Sequence, residues 1–429
     1  MPSRNTLRAL IEEEMVQLEE EGCDVHVTAS DIEAASETVE SLLKVYGQLR
    51  TLKPRADFPY REPSDLAAIR KERPQGPRRM DVRIPARKLT DRLHGAWIGR
   101  VAGCMLGKPV EGRTGEWIQA YLQNADAWPL NDYFPRKSSD IDAKPVELNA
   151  DWCRGGIHAG ASDDDTNYTI IALKLMEEKG YQFTTADVGA LWLRLLPYGS
   201  VCTAERQAYA NLVNELPPAD IPLHLNPYRE WIGAQIRGDF FGYATPGNPE
   251  LAAELAWRDA ALSHVKNGIY GEMLVAAMLS AALVEDDAEQ VIRAGLAELP
   301  QRSRLAEAAN DVLAWHREKP DWRAALGEVM CKYGHYHPVH TINNACFVLL
   351  ALLYGSRDFT ATVSIAVMCG LDTDCNGATA GSICGAMIGA KEIPSNWAWP
   401  LNDTLHSTVS GFARSKISEL AARTKKLWR

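Results

Sequence analysis

Paired cysteines, an N-terminal leader and a long apolar run are all missing from this chain, and each absence narrows what it can be. The nine cysteines are odd in number and scattered without CxxC spacing, which excludes a disulfide framework and fits a reducing compartment. Residues 1–21 are polar, acidic and helix-like, with no charged-then-apolar signal pattern. The longest clean apolar run, 345–354, is too short to span a bilayer and reads as a buried helix. A soluble, cytoplasmic protein without a membrane partner is expected. No dominant basic face exists: the formal charge is -10, which argues against a nucleic-acid partner. Strand-like alternation with hairpin turns is nearly absent, and no Rossmann fingerprint, P-loop or Gly-x-Ser-x-Gly elbow appears.

What the chain does have is glycine at helical spacing, twice. Gly95, Gly99, Gly103 and Gly107 lead to Glu111; Asp372 and Asp374 lead into Gly377, Gly381, Gly385 and Gly389. Glycine costs a helix roughly 1 kcal/mol against alanine, so two such rows predict two flat faces packed backbone to backbone. If they pack antiparallel, the end of the first helix meets the start of the second, and Glu111 meets Asp372 and Asp374. A third acidic group, Asp163-Asp164-Asp165, precedes the apolar residues Ile170, Ile171, Leu173, Leu175 and Met176 and so sits at a helix N-terminus. One capping aspartate is routine; three in a row repel unless a cation or strong hydrogen bonds hold them. Oxygen-only ligand sets select Mg²⁺, with Mn²⁺ or Ca²⁺ as alternatives, over zinc.

Around these sites the fold class reads as all-α. Residues 1–50 predict two helices, the second opened by a Ser30–Glu33 capping box. Residues 51–90 carry eleven Lys/Arg against five acids and six prolines, a linker or surface arm. Residues 91–429 form the body. Residues 185–215 and 250–284 predict helices, 216–249 a loop carrying Trp231, Phe240, Phe241 and Tyr243, and 286–330 three short helices broken at Pro300 and Pro320. The run His335, His337, His340 invites a zinc reading, but no cysteine lies at finger spacing, so helix capping or pocket lining is expected. Trp152, Trp231, Phe240 and Tyr243 are candidates to stack on a base. A phosphatase-type role for the Asp372 segment would need further lysine and acidic motifs downstream, and only 55 residues follow Asp374.

Four ordered segments, residues 91–111, 163–169, 340–355 and 370–397, together resemble the ADP-ribosylglycohydrolase family, which includes the dinitrogenase-reductase-activating glycohydrolases. The resemblance spans about residues 90–420 and implies a compact multi-helix domain with a divalent-metal, usually two-ion, central cleft; residues 1–86 are an extension outside it. By position it implies metal ligands at Asp163, Asp164, Asp165, Asp372, Asp374 and Cys375, and catalytic roles for Glu111, Asp164 and Asp374, with Glu111 the mobile acid/base or gating carboxylate. His158, Asn167, Gly370 and Asn376 are candidate substrate contacts. Three positions depart from the family pattern: Asp163 and Cys375 replace threonines, and Cys104 replaces an aspartate. The implied activity is metal-dependent hydrolysis of an N- or O-glycosidic bond in an ADP-ribosyl or smaller ribosyl conjugate, free or on a protein. Two other readings remain open: a non-catalytic, metal-dependent ADP-ribose-binding module, and a Mg²⁺-dependent prenyl-diphosphate lyase.

Overall fold

The computed structural model describes residues 2–81, 83–141 and 144–428. The chain begins with three helices, α1 (Arg4–Glu20), α2 (Ala29–Ala35) and α3 (Val39–Leu49). The expected pair of helices is therefore three, and the expected capping box is displaced. Thr28, not Ser30, caps α2: its hydroxyl accepts from the Asp31 N–H, and the Asp31 carboxylate accepts from the Thr28 N–H. A second cap, Thr38, restarts the chain as α3. Leu7, Leu10, Ile11, Leu18, Ile32, Leu42, Tyr46 and Leu49 form a small core of their own, closed by Leu225.

The proline-rich arm runs across the body through one short helix, α4 (Leu66–Glu72). It is tied down rather than merely solvated. Arg61 and Gln301 make backbone bonds between arm and body, at 2.9 and 3.0 Å, and Glu62 takes a buried ion pair from Arg304.

The body then follows as α5 (Ala86–Gly107), α6 (Gly115–Asn124), a hairpin β1 (Lys137–Ile141) with β2 (Lys144–Glu147), α7 (Asp164–Lys179), α8 (Thr185–Leu195) and α9 (Thr203–Val213). Next come α10 (Asp239–Ala244), α11 (Pro249–Ala260), α12 (Lys266–Ala282), α13 (Ala288–Leu296), α14 (Arg304–Glu318) and α15 (Trp322–Tyr333). The chain closes with α16 (Thr341–Gly355), α17 (Phe359–Met368), α18 (Thr373–Ile388), α19 (Ser395–Ala398), a hairpin β3 (Thr404–His406) with β4 (Arg414–Lys416), and α20 (Ile417–Lys425). Among the described residues, sheet is confined to these two antiparallel hairpins, so the class is all-α. No described helix is long and apolar enough to cross a membrane.

The two glycine rows are the spine. A Cβ on Gly95 would lie 2.4 Å from the Gly385 carbonyl oxygen, one on Gly99 2.0 Å from Gly381, one on Gly103 1.9 Å from Gly377, and one on Gly107 2.1 Å from Thr373. The register descends as the first row ascends, so α5 and α18 are antiparallel with their backbones in contact. No side chain fits between them. Apolar helices α12, α16 and α17 surround α18, while α7 and α20 flank α5.

Candidate metal centre and cleft

Because α5 ends where α18 begins, the acids at those ends are brought together. The Thr373 hydroxyl donates to the Gly107 carbonyl at 2.8 Å, pinning the two ends. Beyond α5, Gly112 donates to the Leu371 carbonyl and Leu371 to the Arg113 carbonyl, each at 2.8 Å, which lays the Glu111 loop beside the turn before Asp372. That turn needs two consecutive left-handed residues, Gly370 at φ 85° and Leu371 at φ 63°. A Cβ on Gly370 would sit 2.5 Å from the Gly115 nitrogen, so its glycine is a requirement of this close approach.

The third acidic group arrives on α7. Asp163 is its N-cap, accepting from the Asp165 N–H at 3.1 Å. Its other oxygen accepts from the Lys108 ammonium, which also lies 5.1 Å over the Trp152 ring. Asp165 points inward to Arg100 of α5, whose guanidinium donates to its carboxylate at 2.7 Å and also reaches the Thr379 hydroxyl and the Ile236 carbonyl. Arg100 thus joins α5, α7 and α18 from inside the core, with no solvent exposure.

Three sets of donor atoms result, each gathered within 4.8 Å: Cys104 with Asp163 and Asp165; Asp165 with Asp374 and Cys375; and Glu111 with Asp372 and Asp374. Six carboxylates here face two fixed cations, Lys108 and Arg100. Asp165 Oδ2, Asp372 Oδ1 and Asp374 Oδ1 are buried without a hydrogen-bond partner. Leaving such an acceptor unpaired costs about 1–3 kcal/mol, more when charged, and a bound cation would satisfy all three.

The electrostatics follow. Burial, then the neighbouring carboxylates, pushes Asp164 and Asp374 well above the usual carboxylate range. Burial does the same to Asp165, with Arg100 opposing it only in part. Asp372 is raised by burial, against hydrogen bonds from Cys375 and Asp374. Glu111 stands exposed at the mouth, where the surrounding protein, Asp372 and Asp163 raise it and Lys108 opposes them. Asp163 goes the other way. Burial raises it, but the Lys108 ammonium, together with hydrogen bonds from Asp164 and the Asp165 N–H, outweighs that and holds it below its ordinary value. Burial pushes the thiols of Cys104 and Cys375 up.

Of these groups, Lys108, Glu111, Asp163, Asp164, Asp372, Asp374 and Cys375 line a cleft of about 370 Å³. Asn167 lines it too, holding Thr408 through bonds of 2.9 and 3.1 Å. Of the aromatic candidates, Trp231 alone is on the wall, stacked on His337 at 4.0 Å; Phe240 and Tyr243 are packed in the core. His340 caps α16, accepting from the Ile342 N–H, as the capping reading of that histidine run expected.

Three expected substrate contacts are not brought to the cleft. His158 is exposed, and only its carbonyl is engaged, by Asn402. Gly370 serves the turn. Asn376 is buried, donating to the Asn344 side chain at 2.7 Å. Conversely, Lys108, Arg100 and Glu205 went unassigned by the sequence. Glu205 reaches the cleft from α9, held by Arg237 at 2.6 Å. A lysine three residues before Glu111 and an arginine inside a glycine-faced helix were the available signals.

No curated protein matches the chain. Among solved structures, a chain from an ADP-ribosylglycohydrolase-related protein complex aligns over 80% of this chain and 99% of its own length, at 20% identity and a TM-score of 0.47. The sequence profile of the ADP-ribosylglycohydrolase family matches residues 85–429, which takes in both glycine helices and every acidic group of the cleft, and this chain belongs to that family.

Proposed function

We propose that the chain is a metal-dependent hydrolase cleaving an N- or O-glycosidic bond of an ADP-ribosyl or related ribosyl conjugate. The observation that carries this reading is the convergence of Glu111, Asp163, Asp164, Asp372 and Asp374, from three separate segments, on one cleft with orphaned carboxylate oxygens in its floor. Family membership supports a glycohydrolase-type function. Asp164, Asp165, Asp372, Asp374 and Cys375 are the residues that would hold a divalent ion, and the unpaired oxygens of Asp165, Asp372 and Asp374 fit that role. A bound divalent ion lowers the pKa of a water and orients hydroxyl groups.

The remaining work belongs to the chain itself. With a divalent ion bound, Asp164 and Asp374 would be held ionised and would present negative charge to an oxocarbenium-like centre. Glu111, at the mouth and with a raised carboxyl, is placed to take and return a proton. Trp231, stacked on His337, is the aromatic candidate on the cleft wall that a base would meet.

The test is chromatographic detection of released ADP-ribose from ADP-ribosylated amino acids and peptides, with and without EDTA. Release should need the metal, and Glu111→Gln should slow it by about 10²–10⁴-fold while ligand binding persists. Metal-dependent binding without release from any conjugate would instead support the binding-module reading.

A further inference from the structure

Two sulfur atoms stand among the carboxylates, and they are not equivalent. The donors of Asp165, Asp374 and Cys375 lie within 4.8 Å of one another. One ion with bonds of about 2.1 Å to oxygen and 2.3 Å to sulfur spans up to about 4.4 Å, so small side-chain movements close the set. Two of its oxygens are already committed to nothing else. Arg100 holds Oδ1 of Asp165, which fixes Oδ2 as the free atom, and Oδ1 of Asp374 is likewise buried and unpartnered. Both residues are at least nine-tenths buried. Cys375 faces the same cleft.

The second sulfur set, Cys104 with Asp163 and Asp165, is as compact but is closed. One oxygen of Asp163 accepts from the Asp165 N–H and the other from the Lys108 ammonium. The lysine brings a fixed positive charge to the place where a second cation would otherwise answer the extra carboxylate.

Given a metal-binding cleft, as proposed above, we infer that three of its five named ligands, Asp165, Asp374 and the sulfur of Cys375, form the core of the ion's site, that the ion is zinc, cobalt(II) or iron(II) rather than Mg²⁺, and that Lys108 is its neighbour in place of a second ion on the Cys104 set. Thiolate ligands select these borderline ions over hard ones, and binding displaces the thiol proton to solvent.

The experiment is titration of the metal-free full-length protein with Co²⁺, followed by absorption spectroscopy and by counting bound ions after gel filtration. A thiolate-to-cobalt charge-transfer band should grow with occupancy in the unaltered protein. Cys375→Ser should remove the band and weaken Co²⁺ by at least about tenfold, since even the outer partners of a ligand set cost 10–100-fold. Cys104→Ser should keep it, as should Cys202→Ser, which alters another thiol lining the cleft. Lys108→Met should raise the count by one ion per chain and add a second sulfur contribution that Cys104→Ser removes. Bound Co²⁺ without a charge-transfer band in the unaltered protein, or a band that survives Cys375→Ser, would overturn the assignment and leave the hydrolase reading intact. An unchanged count in Lys108→Met would overturn the role given to the lysine. Failure of both Co²⁺ and Mg²⁺ to bind would remove the metal-dependent reading itself.

Discussion

Glu20 illustrates how one side chain sets the behaviour of its surroundings. It projects from α1 toward Glu230, Glu21, Glu13 and Arg304, with the Nε2 atom of His340 at 3.6 Å. The Ile342 N–H donates to Nδ1 of His340, so the neutral ring carries its proton on Nε2. Burial, and then Glu230, pushes the Glu20 carboxyl up to about 8, Arg304 opposing. Between the ordinary value of 4.5 and 8, the folded chain keeps a proton that the unfolded chain has lost. Stability therefore falls as pH rises through that window, by about 1 kcal/mol per pH unit from this group. Glu20→Gln has no such proton to keep. Its denaturation midpoint should match the unaltered protein near pH 5 and exceed it near pH 8; parallel profiles would refute the assignment. At this scale the sequence was least legible. Lys108, Arg100 and Glu205 acquire their roles from partners 55, 65 and 32 positions away, and local pattern could at most mark Lys108 and Arg100 as unusual without naming those partners.

The helix pair α5/α18 is the element on which the site depends, and here the sequence was most legible. Glycine at every fourth position is costly unless another backbone lies against it, so the spacing itself named the partner face. The same reasoning separates glycines that matter from those that do not. Gly103→Ala would place a methyl 1.9 Å from the Gly377 carbonyl, forcing the helices apart. A loss of about 1–3 kcal/mol or more is expected in chemical denaturation. Gly47, exposed on α3 with nothing within 4 Å of an added Cβ, should gain about 0.5–1 kcal/mol as alanine. Equal effects at the two positions would contradict the close-packed spine. Caps were harder to place: Ser30 with Glu33 and Thr28 with Asp31 both offer a hydroxyl followed three residues later by an acid, and the helix starts at the latter.

Across the whole molecule, the first fifty residues lie outside the family match yet are bound to the body by buried charge. Glu14 and Glu21 of the N-terminal segment pair with Arg229 at 2.7 and 2.8 Å, Glu21 also meets Lys266, and Gln17 donates to Glu230 at 2.9 Å. Arg229 and Glu230 directly precede Trp231 on the cleft wall. Stripping one side of such pairs leaves buried charge uncompensated, at about 3–5 kcal/mol for a broken pair. A chain lacking residues 1–50 should melt at a clearly lower temperature, or aggregate; an unchanged melting temperature would make the extension dispensable. Amphipathic spacing announced these helices, but not that their acidic residues would face inward.

The central claim is that one acidic cleft, assembled by the glycine helices, binds an ADP-ribosyl group through a metal. Calorimetric titration of ADP-ribose tests it most directly, in Mg²⁺ or Co²⁺, in EDTA, and with Asp374→Asn. Binding heat is expected only with the metal present and Asp374 intact. Equal binding in EDTA, or by Asp374→Asn with metal, would contradict the account.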